Sequence, residues 1–452
     1  MRNLKKLLSL LMVAAMLLTV MAGCGSKTET PAETKAPAAD AGATEAPAAA
    51  GERTVIRMTH PSASDSDTQW MDAFEKHVEE KYPEIDLQYI TIAGNELITK
   101  VTVMTQGGDW PDIITAQDIA DFVTLGILDP IDDRVASSET IKLDNYYQAG
   151  LDFASYNGSL YYVPVLVVPY ALLTNQHRLD AIGVKAEDIK TWDDLVSVSE
   201  KMAADGEAAY GFCGSVPRMM FRDFYIMAAS NGLYADTLGD PANREKLIEC
   251  VELYKKMQPY TIENSLSIEW GDVHKYMAQD MIGFLGTGGY YAGFMSGLKA
   301  DCVDYLHPIP FPVGPSAEKS TSVVGALGYA LTSGSEHKDL AWKVIEEAMT
   351  PEFLYMYGVQ NVPAEKEINE ELLDKNLEIL YGEYAPQVKV IIQEWSEIIA
   401  EGGVLQPAVP GQTEFERSFQ EHLTKVLNGE MTPEEMADSY QKAYTEIVNS
   451  YK

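Results

Sequence analysis

Polar side chains that could grip a small hydroxylated molecule sit where apolar runs give way to loops. His60 and Ser62 follow the run Thr54-Val55-Ile56-Arg57-Met58, Asn95 lies in the turn Ala93-Gly94-Asn95, and Gln117-Asp118 follow Ile113-Ile114. Carboxylates and amides offer the paired acceptors and donors that an array of hydroxyls requires, and aromatic rings cover flat CH faces. Trp270, after Ser267-Ile268-Glu269, supplies such a ring, with packing at the start of a helix as its plain alternative. The loop residues have plain uses too, as turn formers and caps; Asp118 can cap a helix beginning near Ile119. Covalent chemistry finds less support. The chain has no GxxxxGK[ST] loop, GxSxG elbow or HExxH pair, and its seven histidines are scattered. Asp65 and Asp67 lack the glycine and closing glutamate of an EF-hand loop, so no metal and no cofactor are assigned. These residue types imply reversible binding rather than catalysis.

The elements that must position them follow from hydrophobic period. Thr54–Met58 reads as a strand, Trp70, Phe74, His77 and Val78 as one face of a helix, and Ile85–Ile90 as a second strand. Leu97–Thr105 then reads as a helix and Ile113-Ile114 as a short buried strand. This alternation predicts right-handed crossovers and a mostly parallel sheet, with ligands beyond the carboxyl ends of the strands. The run Tyr161–Tyr170 contains Pro164 and Pro169, which cannot donate to a ladder. It is expected to be a crossing rather than one central strand. Thr191 is placed to cap a helix opening at Trp192, and Val323–Leu331 reads as a strand before a helix around Ala341–Met349.

The termini and the composition add location. Arg2, Lys5 and Lys6 precede an apolar stretch from Leu7 to Val20, too short for a comfortable membrane span. It ends in Met21-Ala22-Gly23-Cys24, which resembles the bacterial lipobox, so residues 1–23 are expected to be a signal peptide and Cys24 the lipidated new N-terminus. Residues 24–52 carry no aromatic or large aliphatic side chain and read as a disordered tether. Roughly 400 residues follow, a length that suits two domains rather than one core. The formal net charge of −34 disfavours phosphate backbones and argues against nucleic-acid partners. Cys213, Cys250 and Cys302 have irregular spacing; one pair could bridge, but buried free thiols are the expectation.

Several stretches, in order, resemble the extracellular solute-binding proteins of sugar importers of the ATP-binding-cassette type, the group that includes maltose-binding protein. They are Ala73-Phe74-Glu75-Lys76 with Tyr82-Pro83, Gly107-Gly108-Asp109-Trp110-Pro111-Asp112-Ile113-Ile114, Leu173-Thr174-Asn175, Thr191-Trp192-Asp193-Asp194-Leu195, Tyr276 to Gly289, and Ala341-Trp342-Lys343-Val344. The resemblance implies an α/β fold of the type II periplasmic-binding-protein-like kind, two lobes joined by hinge strands around a ligand cleft. The lobes would be 53–168 with 321–359, and 169–320 with 360–452. It also implies a saccharide solute, permease subunits as partners, a monomer lipid-anchored at the extracellular face of the bacterial cytoplasmic membrane, and no enzymatic activity.

Residue by residue, the resemblance points to Asp118 as a ligand-binding carboxylate and to Tyr290 as a ring packed on the solute, with Tyr291 as its competitor. Phe221 falls where the second lobe offers an aromatic surface, although Met219, Met220 and Phe224 beside it also read as helix core. Gln412 and Glu416 fall where a final helix joins the cleft. A secreted carbohydrate hydrolase, or a binding protein for a cationic solute such as a polyamine, is the alternative.

Overall fold

The computed structural model describes residues 53–451, apart from 62–64, 235–236, 360, 401–402 and 407–408. Cys24 and Ser62 therefore lie outside the described residues. The apolar runs form a ten-stranded mixed sheet. Its strands are β1 Thr54–His60, β2 Ile85–Thr91, β3 Ile113–Ala116, β4 Tyr162–Asn175, β5 Ala208–Gly211, β6 Ile282–Gly288, β7 Leu306–Ile309, β8 Ser322–Leu331, β9 Val362–Pro363 and β10 Gly403–Leu405. The order across the sheet is β2-β1-β3-β8-β4-β6-β5, with β7 and β9 on β4 and β10 on β8.

The parallel expectation holds at the flanks and where β10 joins β8. At the flanks β1 runs parallel to β2 and β3, and β5 to β6. In the middle β8 is antiparallel to β3 and β4, and β4 is antiparallel to β6 and β7. Local alternation reports how sequence neighbours connect, whereas β4 and β8 meet from distant parts of the chain.

The proline-broken run needs a correction. It is part of one strand, β4, buried along all 14 residues. Tyr162–Tyr170 pair with β8, and the segment beyond pairs with β6 and β7, so β4 is also the crossing between flanks. Pro164 fits because the ladder is interrupted where it stands. Pro164 sits at a register shift opposite Leu327 and Gly328, and the Val165 carbonyl there accepts from the Ala364 amide at 3.2 Å. The Pro169 carbonyl accepts from the Gly289 amide at 3.0 Å.

Helices cover the sheet. They include α1 Asp65–Lys81, α2 Leu97–Gln106, α3 Trp192–Ala204, α4 Pro217–Ser230, α5 Trp270–Ala278, α6 Tyr291–Leu298, α7 Lys338–Ala348, α8 Ala385–Ala400, α9 Gln412–Leu427 and α10 Pro433–Ser450. On α1, Trp70, Phe74 and Val78 are fully buried, as their spacing predicts. The α3 start is a capping box: the Thr191 hydroxyl accepts from the Asp194 amide, and the Asp194 carboxylate accepts from the Thr191 amide at 2.9 Å. Near the C-terminus α9 packs between α4 and α10. Cys213, Cys250 and Cys302 are buried free thiols, and burial pushes the Cys213 and Cys302 thiols up to about 12. Among the described residues no helix is long and apolar enough to cross a membrane.

Candidate functional site

The polar candidates cluster at strand ends. His60 ends β1, Gln117 and Asp118 follow β3, and Tyr290 stands just beyond β6. At the carboxyl ends the ladder no longer consumes the backbone, and side chains there can turn toward a ligand.

His60 is fully buried, its ring stacked on Trp70 at 5.1 Å. Its Nδ1 lies 2.9 Å from the Pro61 carbonyl, which places the proton on that nitrogen. Nε2 is then an acceptor, and it has no partner. Burial lowers the pKa of the ring, keeping it neutral. With Gln117, Asp118 and Arg218 it lines a recess of about 40 Å³.

Arg218 organises that recess. It is ion-paired with Asp118, the two side chains 12% and 4% exposed, and its Nη2 donates to Gln117 Oε1 at 3.2 Å. Burial opposes the guanidinium charge, but Asp118 and Glu416 more than offset it and hold the pKa above its ordinary value. Asp118 Oδ2 is taken by Arg218, whereas Oδ1 has no hydrogen-bond partner and keeps its accepting capacity. On α9, Gln412 Nε2 donates to Glu416 Oε1 at 2.8 Å while Gln412 Oε1 has no partner. Burial pushes the Glu416 carboxyl up to about 7, against the pull of Arg218. A further tie brings α9 to this wall: the Gly411 amide donates to Asp121 Oδ1 at 2.8 Å.

A second recess lies at the end of β6, lined by Met219, Arg222, Trp270, His274, Gly286 and Tyr290 among others. His274 Nδ1 is 2.7 Å from the Trp270 carbonyl, and its Nε2 is 2.9 Å from the Thr287 hydroxyl. That hydroxyl is 3.2 Å from the Tyr290 hydroxyl. Burial holds His274 down to about 4, so this chain of groups orients Tyr290 without adding charge. Gly288 makes room for it, because a Cβ there would lie 2.6 Å from Tyr290 Cε1. Tyr291 is fully buried instead, its hydroxyl donating to the Leu306 carbonyl at 2.7 Å. Buried Tyr170 packs against residues of the second recess: its ring has the Arg222 guanidinium 4.8 Å above it and Tyr290 edge-on at 6.3 Å.

The structure thus brings together His60, Gln117, Asp118, Gln412 and Glu416 around Arg218, and Trp270 with Tyr290 beside Arg222. It does not bring Phe221 to either recess. Phe221 is 2% exposed, enclosed by Phe224, Tyr225, Phe415 and Phe419, because one step along a helix turns a side chain about 100° from Arg222. The aromatic-surface reading gives way to the core reading there. Asn95 belongs to the short turn Gly94–Glu96, whose Gly94 borders the first recess. Sequence reasoning passed over Arg218 and Arg222. Their signal was present: two arginines four residues apart share a helix face, here among Met219, Met220, Phe221, Phe224 and Tyr225.

Sheet, crossing strand and strand-end polar seam define a type II periplasmic-binding-protein-like α/β fold, two lobes with a ligand cleft between them. The family model of bacterial extracellular solute-binding proteins matches residues 61–353, and the chain belongs to that family. An uncharacterized ABC transporter extracellular-binding protein of Pyrococcus horikoshii is 25% identical over 325 residues, covering 69% of this chain and 70% of the relative. Among solved structures, the GacH receptor of Streptomyces glaucescens, determined unliganded and with acarbose, matches with a TM-score of 0.72 at 16% identity, over 89% of this chain and 100% of that one. Maltose-bound MalE3 of T. maritima matches with a TM-score of 0.72 at 18% identity, over 87% and 99%.

Proposed function

We propose that this protein captures a carbohydrate outside the cell and delivers it to the permease of an ATP-binding-cassette importer. The observation that carries this reading is unspent hydrogen-bonding capacity buried beside aromatic rings. His60 Nε2, Asp118 Oδ1, Gln412 Oε1 and Arg222 Nε lack hydrogen-bond partners, and Trp270 and Tyr290 stand next to Arg222. Buried polar atoms are costly to leave unpaired, so a ligand rich in hydroxyls supplies what the protein lacks. The acarbose- and maltose-bound neighbours support the same class of solute. A polyamine suits the site less well, because the acids of the first recess already face a cation: Asp118 is ion-paired with Arg218, and Glu416 acts on the same guanidinium.

In this reading 53–168 with 321–359 form one lobe and 169–320 with 360–452 the other, Cys24 carries the lipid anchor, and the protein acts as a monomer that binds without turnover. A thermal-shift screen of the full chain in detergent, against neutral saccharides, acidic saccharides and polyamines, tests it. A saccharide at 100 times its dissociation constant is expected to add roughly 2.7 kcal/mol of stability. Stabilisation by polyamines alone would replace the reading with a cation-binding one.

A further inference from the structure

Arg222 is only 9% exposed and lines the recess that holds Trp270 and Tyr290. Its Nε has no hydrogen-bond partner, and Nη1 reaches the Met219 sulfur at 3.7 Å, a weak acceptor. The Tyr170 ring covers one face of the guanidinium. Among the described residues no carboxylate makes ion-pair contact with it, since the nearby acids are engaged elsewhere. Asp118 is paired with Arg218, and Glu416 is bonded to Gln412. Asp223 accepts the hydroxyls of Tyr210 and Tyr254 at 2.7 Å each. A guanidinium carries five donors in a planar fork and cannot shed its charge, so burying it without an acceptor is expensive.

We propose that the missing acceptor is a carboxylate of the solute: the site takes an acidic saccharide, a uronic-acid unit or a short oligomer of one, with its carboxylate forked on Arg222. This rests on the carbohydrate reading and narrows it. A hydroxyl answers one donor of the fork, whereas a carboxylate answers two in the same plane and neutralises the charge. With one face under Tyr170, the guanidinium offers its edge, the geometry such a fork requires. Trp270 and Tyr290 stand beside that edge to cover the sugar ring, and neutral His274 brings no competing charge. The protein's net charge of −34 does not forbid an anion here, because exposed charges are screened over about 8 Å at physiological ionic strength while a buried pair is not.

Matched pairs decide the question: galacturonate against galactose, glucuronate against glucose, and their di- and trisaccharides, titrated calorimetrically into the full chain in detergent at neutral pH. The acidic member of at least one pair is expected to bind about tenfold tighter or more, the scale of a charge-assisted hydrogen bond. Arg222→Met should close that gap to about twofold without weakening the neutral sugar comparably, and Arg222→Lys should retain part of it. Melting curves establish that the variants fold, and the wild-type comparison stands even where one does not. Neutral members binding as tightly as acidic ones would overturn the inference and leave the carbohydrate reading standing. An acidic preference that survives in folded Arg222→Met would overturn the assignment to Arg222. Binding of neither series would remove both.

Discussion

A buried carboxyl with no full partner charge is a pH-sensitive element whatever else it does. Glu416 moves from its ordinary 4.5 up to about 7 because burial disfavours its anion more than Arg218 favours it. The folded state therefore holds a proton that the unfolded chain gives up first. The resulting stability is complete below about pH 4.5 and lost as pH rises through 7, worth about 3 kcal/mol on the scale of 1.36 kcal/mol per unit. Asp223, pushed up to about 7 by burial, acts in the same sense. Glu416→Gln imitates the protonated form, so the variant is expected to melt above wild type at pH 8 and close to it near pH 5. Thermal melts across that range check this; a variant that falls further than wild type as pH rises would refute the assignment of Glu416 as the titrating group.

At the level of elements, the glycines near the end of β6 matter because strand and rings share one small volume. A Cβ on Gly288 would come 2.6 Å from Tyr290 Cε1 and 2.9 Å from Tyr170 Cε1, closer than real contacts allow. Gly288→Ala is expected to displace Tyr290, the ring that forms the wall of the recess, and to lower affinity for the solute about tenfold, the loss of one stacking contact. Calorimetric titration measures the loss, and circular dichroism tests whether β6 itself persists. Undiminished affinity would place the solute away from Tyr290. In β4 the register shift falls beside Pro164, where the ladder with β8 is interrupted.

For the whole molecule, the proposed site runs from His60 to Tyr290, with groups carried on both sides of the crossing strand. Asp118→Ala and Tyr290→Ala are each expected to weaken binding about tenfold, the former through a charge-assisted hydrogen bond and the latter through lost ring contact. Both should reduce the ligand-dependent compaction that small-angle scattering detects, as expected of hinge closure. Variants that bind and compact like wild type would move the site elsewhere. Location is tested separately: Cys24→Ser is expected to abolish lipid labelling and release the protein into the medium, and retention in the membrane fraction would refute lipid anchoring.

Much of this molecule was readable in one dimension because periodicity and capping are local. The strands β1 to β3, the buried face of α1 and the capping box at Thr191 depend on residues a few positions apart, and so does the placing of His60, Gln117 and Asp118 at strand ends. The family resemblance added Tyr290, Gln412 and Glu416. What depends on pairing between distant segments was not readable. The antiparallel centre arises from β4 meeting β8, and Phe221 is core because Phe415 and Phe419 of α9 close over it. The i, i+4 spacing of Arg218 and Arg222 puts them on one helix face, but a charged residue in a sequence carries no mark of burial. Their burial, and with it the electrostatic character of the recess, is decided when α4, α9 and the strand ends are packed together and the water that would have solvated two guanidinium groups is gone.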